Sequence, residues 1–342
     1  MRLPEARGIA SATLFEVIGG DLDGSLAEAR KAVTDAVETT ADILRDDDLQ
    51  LALFVLYELH YRGVDHVDER WEWHPELLAV RSIIESAFEA RLREVVPMPE
   101  RPEATRRAVA DALFTLTAAD TGPSLSRYVA KSATDAQLHE FLIQRSIYQL
   151  KEADPHSWAI PRLEGVAKAA LVEIQSDEYG GGRPDRVHQT IYRSAMEALD
   201  LDPEYGAYAD QASAITFAST NLMSLFGLHR RLRGAIVGHL AAYEMTSSIP
   251  CRLVSTGFRR AGYDERVTGY FDEHVEADAV HEQIAGRDLA GGLVEAEPHL
   301  LDDVLFGASA CLTVDGWMAG DILESWERGE SSLRQPEKAV AA

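Results

Sequence analysis

Apolar residues recur along this chain at spacings of three and four, over long stretches free of glycine and proline, and strand-like alternation is scarce. That period marks amphipathic helices. It predicts helices over 21–45, 49–61, 75–95 and 104–117. After a break it predicts seven more, over 135–153, 163–178, 184–199, 212–225, 232–261, 264–284 and 300–326. The boundaries have physical causes. Asp46-Asp47-Asp48 offers carboxylates to the orphan amides of the helix that follows. Pro75 suits a first helical turn. Pro155 and the run Gly180-Gly181-Gly182 stop the elements before them. PMPERP at 97–102 reads as a linker and TGPS at 121–124 as a second break. No repeat of solenoid period is present. The expected architecture is all-α. It comprises an N-terminal helical extension over 1–120, a bundle of about seven helices over 125–327, and a polar, frayed tail over 328–342.

Composition narrows the function classes. The chain has 342 residues, 46% of them apolar, enough for a full core. Its 33 basic residues face 57 acidic ones, a formal charge of −24. Such a chain binds polyanions poorly, so nucleic acid and anionic membrane surfaces are not expected partners. Two cysteines, Cys251 and Cys311, lie far apart, which excludes a disulfide scaffold and a Cys-rich zinc module. The first twenty residues hold no long apolar core, so no signal peptide is expected. No apolar run long enough for a membrane span occurs either. The expectation is a soluble, cytoplasmic protein, either an enzyme or a helical interaction module.

The sharpest local signal is YFDEHVEADAVHEQIAG, residues 270–286. His274, Asp278 and His281 fall at i, i+4 and i+7, within about 60° of one another on a helix. A cation needs several lone pairs at about 2 Å, which side chains on opposite faces cannot supply. The competing reading is a solvated acidic helix, which Glu273, Glu276 and Glu282 favour. A second signal is EIQSDEYGGGRPDRVH, residues 173–188. There the glycine break lets Glu178 and His188 turn toward one point. Asp185, three residues before His188, is a rival to Glu178, and the glycines also suit an ordinary helix end.

Two further carboxylates matter by position. Glu152 follows an apolar stripe just before a proline stop. Glu244 sits among apolar and small neighbours, where an unpaired acid is costly. A buried ion pair with Arg231 or Arg233 would also explain it. No E-x2-H occurs, so the motif of ferritin-like di-iron bundles is missing. There is no P-loop and no G-x-S-x-G elbow. Tyr57, Tyr61, Trp71 and Trp73 read as packing or interface aromatics, and predict a homodimer through the N-terminal helices. His139, His156, His229, His239 and His299 show no partner spacing. Pocket-lining residues are expected on 212–225 and 243–260.

Taken together, Glu152, DEYGGG with Glu178, His188, Glu244, and His274-x3-Asp278-x2-His281 resemble the haem-oxygenase-like di-iron oxidases and oxygenases, also called iron-containing redox enzymes. The resemblance covers roughly residues 130–325. It implies two iron ions. Glu152, His188 and His281 would serve mainly one, and Glu178, His274 and Asp278 the other, with Glu244 bridging. Four carboxylates would offset most of the charge of a diferrous pair. The resemblance also implies O2 and a small amine- or amino-acid-like substrate, with an external electron donor as a possible further partner. Glu178 leans the chain toward N-oxygenation. Oxidative C–C cleavage, decarboxylation or desaturation is the alternative within the class, and a non-catalytic helical interaction protein the alternative outside it.

Overall fold

Several helices in this chain begin where a carboxylate, hydroxyl or proline is in place, and the first helix takes its carboxylate from a distant residue, Asp48. The computed structural model describes residues 1–22, 25–119 and 124–335, with the backbone alone for 276–279. The N-terminal part holds α1 (Ile9–Ile18), α2 (Ala27–Thr39), α3 (Asp47–Glu58), α4 (Pro75–Val95) and α5 (Arg106–Ala118). Then follow α6 (Leu125–Lys131), α7 (Asp135–Gln149), α8 (Asp154–Ser157), α9 (Gly165–Glu178), α10 (His188–Ala198) and α11 (Ala214–Leu228). The chain continues through α12 (Arg233–Ala261), α13 (Glu265–Gln283), a π-helical segment (Ile284–Gly291), α14 (Gly292–Ala296) and α15 (Leu301–Glu327). Among the described residues there is no strand, and the fold is all-α.

The expected helices are recovered, with differences that have local causes. Asp46 accepts from the amides of Asp48 and Leu49, as its position predicts. Residues 21–45 do not form one helix. Thr40 is extended at the end of α2, and Asp42 accepts from the Leu44 amide to start a separate 3-10 turn. The segment from Pro184 makes a 3-10 turn, and α10 begins only at His188. The bundle holds more helices than seven, because α6, α8 and α14 are short extra pieces. The stretch 97–102 is without regular structure, as its prolines require. The break at 121–124 lies largely outside the described residues, although Ser124 caps α6 by accepting from the Arg127 amide.

Helices α12 and α15 make the most extensive helix pair and form the spine of the bundle. They approach closely because Gly238 leaves room: a Cβ there would lie 1.9 Å from the Val304 carbonyl oxygen. The hydrophobic core is one continuous cluster that includes Leu14 and Phe54 from the N-terminal helices and Phe217, Ile236 and Val304 from the bundle. Tyr57 and Trp71 are fully buried in it, Tyr61 is half-buried, and Trp73 alone of those four aromatics is largely exposed, at 62%. Polar links join the same two parts, among them Asn221 of α11 donating to Gln50 of α3 and a buried ion pair. Lys151, just after α7, is 1% exposed and ion-paired with the fully buried Glu58 of α3. Tyr205 donates to Glu58 at 2.8 Å, and the Tyr61 ring lies 4.4 Å from the ammonium. No helix among the described residues is long and apolar enough to cross a membrane.

Candidate metal centre

Three helix ends and two long helices deliver the site. The chain leaves α7 through a tight turn in which Ala153 takes φ +70°, an uncommon conformation for a residue with a side chain. That turn points Glu152 inward. Gln175, one turn before the end of α9, donates to the Ala153 carbonyl at 2.8 Å and fastens it. Glu178 is the last residue of α9, and His188 the first of α10. Between them Gly180 sits at φ +69°, where a Cβ would lie 2.6 Å from the Arg186 carbonyl carbon. Only glycine allows this chain reversal without displacing backbone. Glu244 comes from the middle of α12, and His274 and His281 from α13.

These side chains meet. Glu152, Glu178, His188 and His274 can each turn one ligand atom to a common point, all within 4.8 Å of one another. Glu178, Glu244 and His281 form a second such group. All six are buried, none more than 8% exposed. Within the first group, His188 Nδ1 lies 2.9 Å from Glu178 Oε2, His274 Nε2 lies 3.4 Å from Glu152 Oε1, and the two imidazole rings are 4.4 Å apart. Within the second, His281 Nδ1 lies 3.3 Å from Glu244 Oε2. A small cavity of about 20 Å³ touches Glu152, Glu178, Glu244 and His274, room for about one water or ion.

The grouping differs from the allotment implied by the family resemblance. His188 pairs with His274 and not with His281, and the carboxylate common to both groups is Glu178 and not Glu244. The cause is helical rise. His274 and His281 are seven residues apart, roughly 10 Å along α13, so they reach opposite ends of the site. The seventh expected residue, Asp278, lies on α13 between them, with its side chain outside the described ones. Asp185, the rival to Glu178, is exposed. The ion-pair explanation for Glu244 fails, because Arg231 pairs with Glu89 and Arg233 with Glu297.

Neighbouring groups orient the imidazoles. His274 Nδ1 donates to the Tyr270 carbonyl at 2.7 Å, so Nε2 is the nitrogen turned to Glu152. His281 Nε2 donates to Asp177 at 3.0 Å, which turns Nδ1 to Glu244. The Tyr270 hydroxyl donates to Glu152 at 2.7 Å. Sequence spacing did not single out Tyr270, Asp177 or Gln175, although Tyr270 stands one helical turn before His274. It also missed His156 and His239, buried beside the site with His156 Nε2 and His239 Nδ1 3.1 Å apart. Those two come together only through the packing of α8 on α12.

The electrostatics separate the carboxylates. Burial alone would raise the Glu178 carboxyl, but His188, His274 and His281 pull it down from 4.5 to about 2. Burial raises Glu244, and the charge of Glu178 adds to that. Burial opposes protonation of His281, yet Glu244, Asp177 and Glu178 bring it up from 6.5 to about 9. In metal-free protein these shifts set a pH window. The depressed Glu178 stabilises fully above about 4.5, and that share is lost as pH falls toward 2. The raised His281 stabilises fully below about 6.5, and its share is lost as pH rises through 9. Thermal melts of chelator-treated protein should therefore show Tm falling from pH 7 to 9.5. Ferrous iron should abolish that fall, because a metal takes the imidazole in its neutral form. A flat Tm in the metal-free protein would contradict the assignment.

The donor set of three imidazoles and three carboxylates, buried and mutually oriented, fits iron by its chemistry. An all-α fold with such a buried set is that of a helical metal-binding protein. The sequence profile of the iron-containing redox enzyme family matches residues 139–316, and the chain belongs to that family. It is an iron-dependent oxidoreductase. A nitrosourea synthase from Streptomyces achromogenes subsp. streptozoticus is 25% identical over 189 residues, covering 55% of this chain. The matched stretch spans 40% of that relative's length.

Proposed function

We propose that this chain is a non-haem di-iron oxygenase that uses O2 to oxidise a nitrogen of a small amine- or amino-acid-like substrate. The supporting observation is that Glu178 belongs to both donor groups, the arrangement a bridging carboxylate between two ions requires. Glu152, His188 and His274 would hold one iron with Glu178, and Glu244 and His281 the other, with Asp278 joining from α13. When bound, the iron pair supplies the O2 activation, which no side chain can provide.

The chain's own residues do the rest. Tyr270 holds Glu152 in place and carries a hydroxyl proton at its carboxylate oxygens. Tyr270 and Asp177 fix which nitrogen of His274 and of His281 faces the centre. Burial of all six donors excludes bulk water from the reacting region. The relative's printed activity, synthesis of a nitrosourea, involves oxidised nitrogen and favours N-oxygenation over carbon cleavage. The test is O2 uptake by ferrous-loaded protein over a panel of primary amines and amino acids, with product mass measured. The expected result is iron-dependent uptake and a product that gains oxygen on nitrogen. A product one carbon shorter would transfer the reading to C–C cleavage, and no iron-dependent uptake would reject both.

A further inference from the structure

A cavity of about 290 Å³ lies against Glu152 and His274. That is the small end of the range for ligand pockets, suited to a small molecule and not a long chain. Much of its wall is aromatic, from Phe141, Tyr192, Tyr243, Tyr270 and Phe271. The lining from α12 includes Thr246, Pro250 and Val254, within the expected 243–260. The expected 212–225 contributes none of the lining; α7 and α15 take its place.

Besides Glu152 and His274, the lining holds two charged groups, Arg145 of α7 and Asp315 of α15. Their pairing is loose. Arg145 Nη1 is 3.7 Å from Asp315 Oδ2, beyond hydrogen-bond reach. Arg145 donates no hydrogen bond among the described residues, and the 28% of its side-chain surface that stays accessible belongs to a residue lining the cavity. A guanidinium carries five donors, so those of Arg145 stay available to the acceptors of a ligand. Asp315 is fixed from behind. Ser219 of α11 donates to its Oδ1 at 2.5 Å. Gln149, the last residue of α7, shares a face with Arg145 at i+4 and lines the same cavity as Glu152. It is 7% exposed, and its Oε1 accepts no hydrogen bond among the described residues.

Resting on the reading of the neighbouring site as an iron centre, we propose that this cavity binds the zwitterionic head of a small α-amino acid. Its carboxylate sits on the Arg145 guanidinium and its ammonium on the Asp315 carboxylate. The side chain runs along α7 toward Glu152 and His274. Charge balance selects this occupant. A fatty acid would satisfy Arg145 but set its carboxylate beside Asp315. A simple amine would satisfy Asp315 but face Arg145. An α-amino acid carries both charges on adjacent groups and compensates both walls. The distance sets the side chain. Arg145 lies about one turn before the end of α7 and Glu152 three residues beyond it, so several side-chain atoms separate the head from the reacting atom.

The test reads binding, with no turnover required, on both metal-free protein and ferrous-loaded protein under argon. The twenty proteinogenic amino acids are screened by thermal shift and titrated by calorimetry. Each binder is compared with its decarboxylated amine and its deaminated acid. The expected result is that one or a few amino acids bind and that both counterparts bind at least tenfold more weakly. Arg145→Gln should erase the preference over the amine while keeping that over the acid, and Asp315→Asn should do the reverse. Arg145→Lys, which keeps the charge, should weaken binding yet preserve both preferences, and circular dichroism checks that each variant folds. The proposal is overturned if the wild type binds no amino acid, if an amine or acid binds as tightly, or if the two variants keep both preferences. Because metal-free protein is one arm, loss of the iron reading and loss of this clamp give different results.

Discussion

Glu178→Ala should lower iron content from near two ions per chain to one or less and reduce iron-dependent O2 uptake by at least about a hundredfold, with the helical fold intact. The size follows from the shared position of this carboxylate. Loss of a group that only orients a metal ligand already costs about 10- to 100-fold, and loss of a donor to two ions should exceed that. Glu178 ends α9, so removing it adds no strain to the glycine turn that follows. A carboxylate at a helix C-terminus opposes the macrodipole. If Glu178 were only a helix end, its removal would be neutral or stabilising by a few tenths of a kcal/mol. Metal analysis and stopped-flow O2 mixing beside wild type separate the two cases, and unchanged iron content with unchanged turnover would reject the shared-donor assignment.

The imidazoles carry the second large effect. His188 and His274 face the same group of donors, and His281 the other. His188→Ala and His274→Ala should each empty one position, leaving about one iron per chain. Combining them should add little, since both remove donors of the same ion. Combining either with His281→Ala should remove nearly all iron. Controls at His66 and His139, which lie outside both groups, should retain full loading. The discriminating number is the iron content of the two double variants. Equal loss in both would mean that the three histidines serve one ion.

Much of this was legible in the sequence, and the parts that were not share a cause. The long helices were readable because period and punctuation are local. Helix α1 was missed because its cap is not local: Asp48, on α3, accepts from the amides of Ala10 and Ser11. Six of the expected donors converge, because the residues at the ends of α9 and α10 and on the inner face of α13 had to point inward. Which imidazole joins which carboxylate was not legible, since it depends on how α10 packs against α13 and not on spacing within either helix. Arg145 and Asp315 were invisible for the same reason, as were His156 and His239. Each looks like an ordinary residue of its own helix, and only the bundle sets the members of each pair side by side.

The buried ion pair between Lys151 and Glu58 has a consequence for the metal centre itself. Lys151 and Glu152 are chain neighbours with opposite allegiances. One is anchored in α3, and the other presents its carboxylate to His274. A single peptide unit joins them and offers almost no slack. Any shift of α3 is therefore transmitted to Glu152 as a change in its reach. Breaking such a pair leaves a bare buried charge, at a cost of about 3–5 kcal/mol, so the link is held firmly. The N-terminal helices thus work as a set-screw on the centre. Changes at Glu58, Tyr205 or Tyr61 would retune how tightly one ion is gripped while leaving every donor in place.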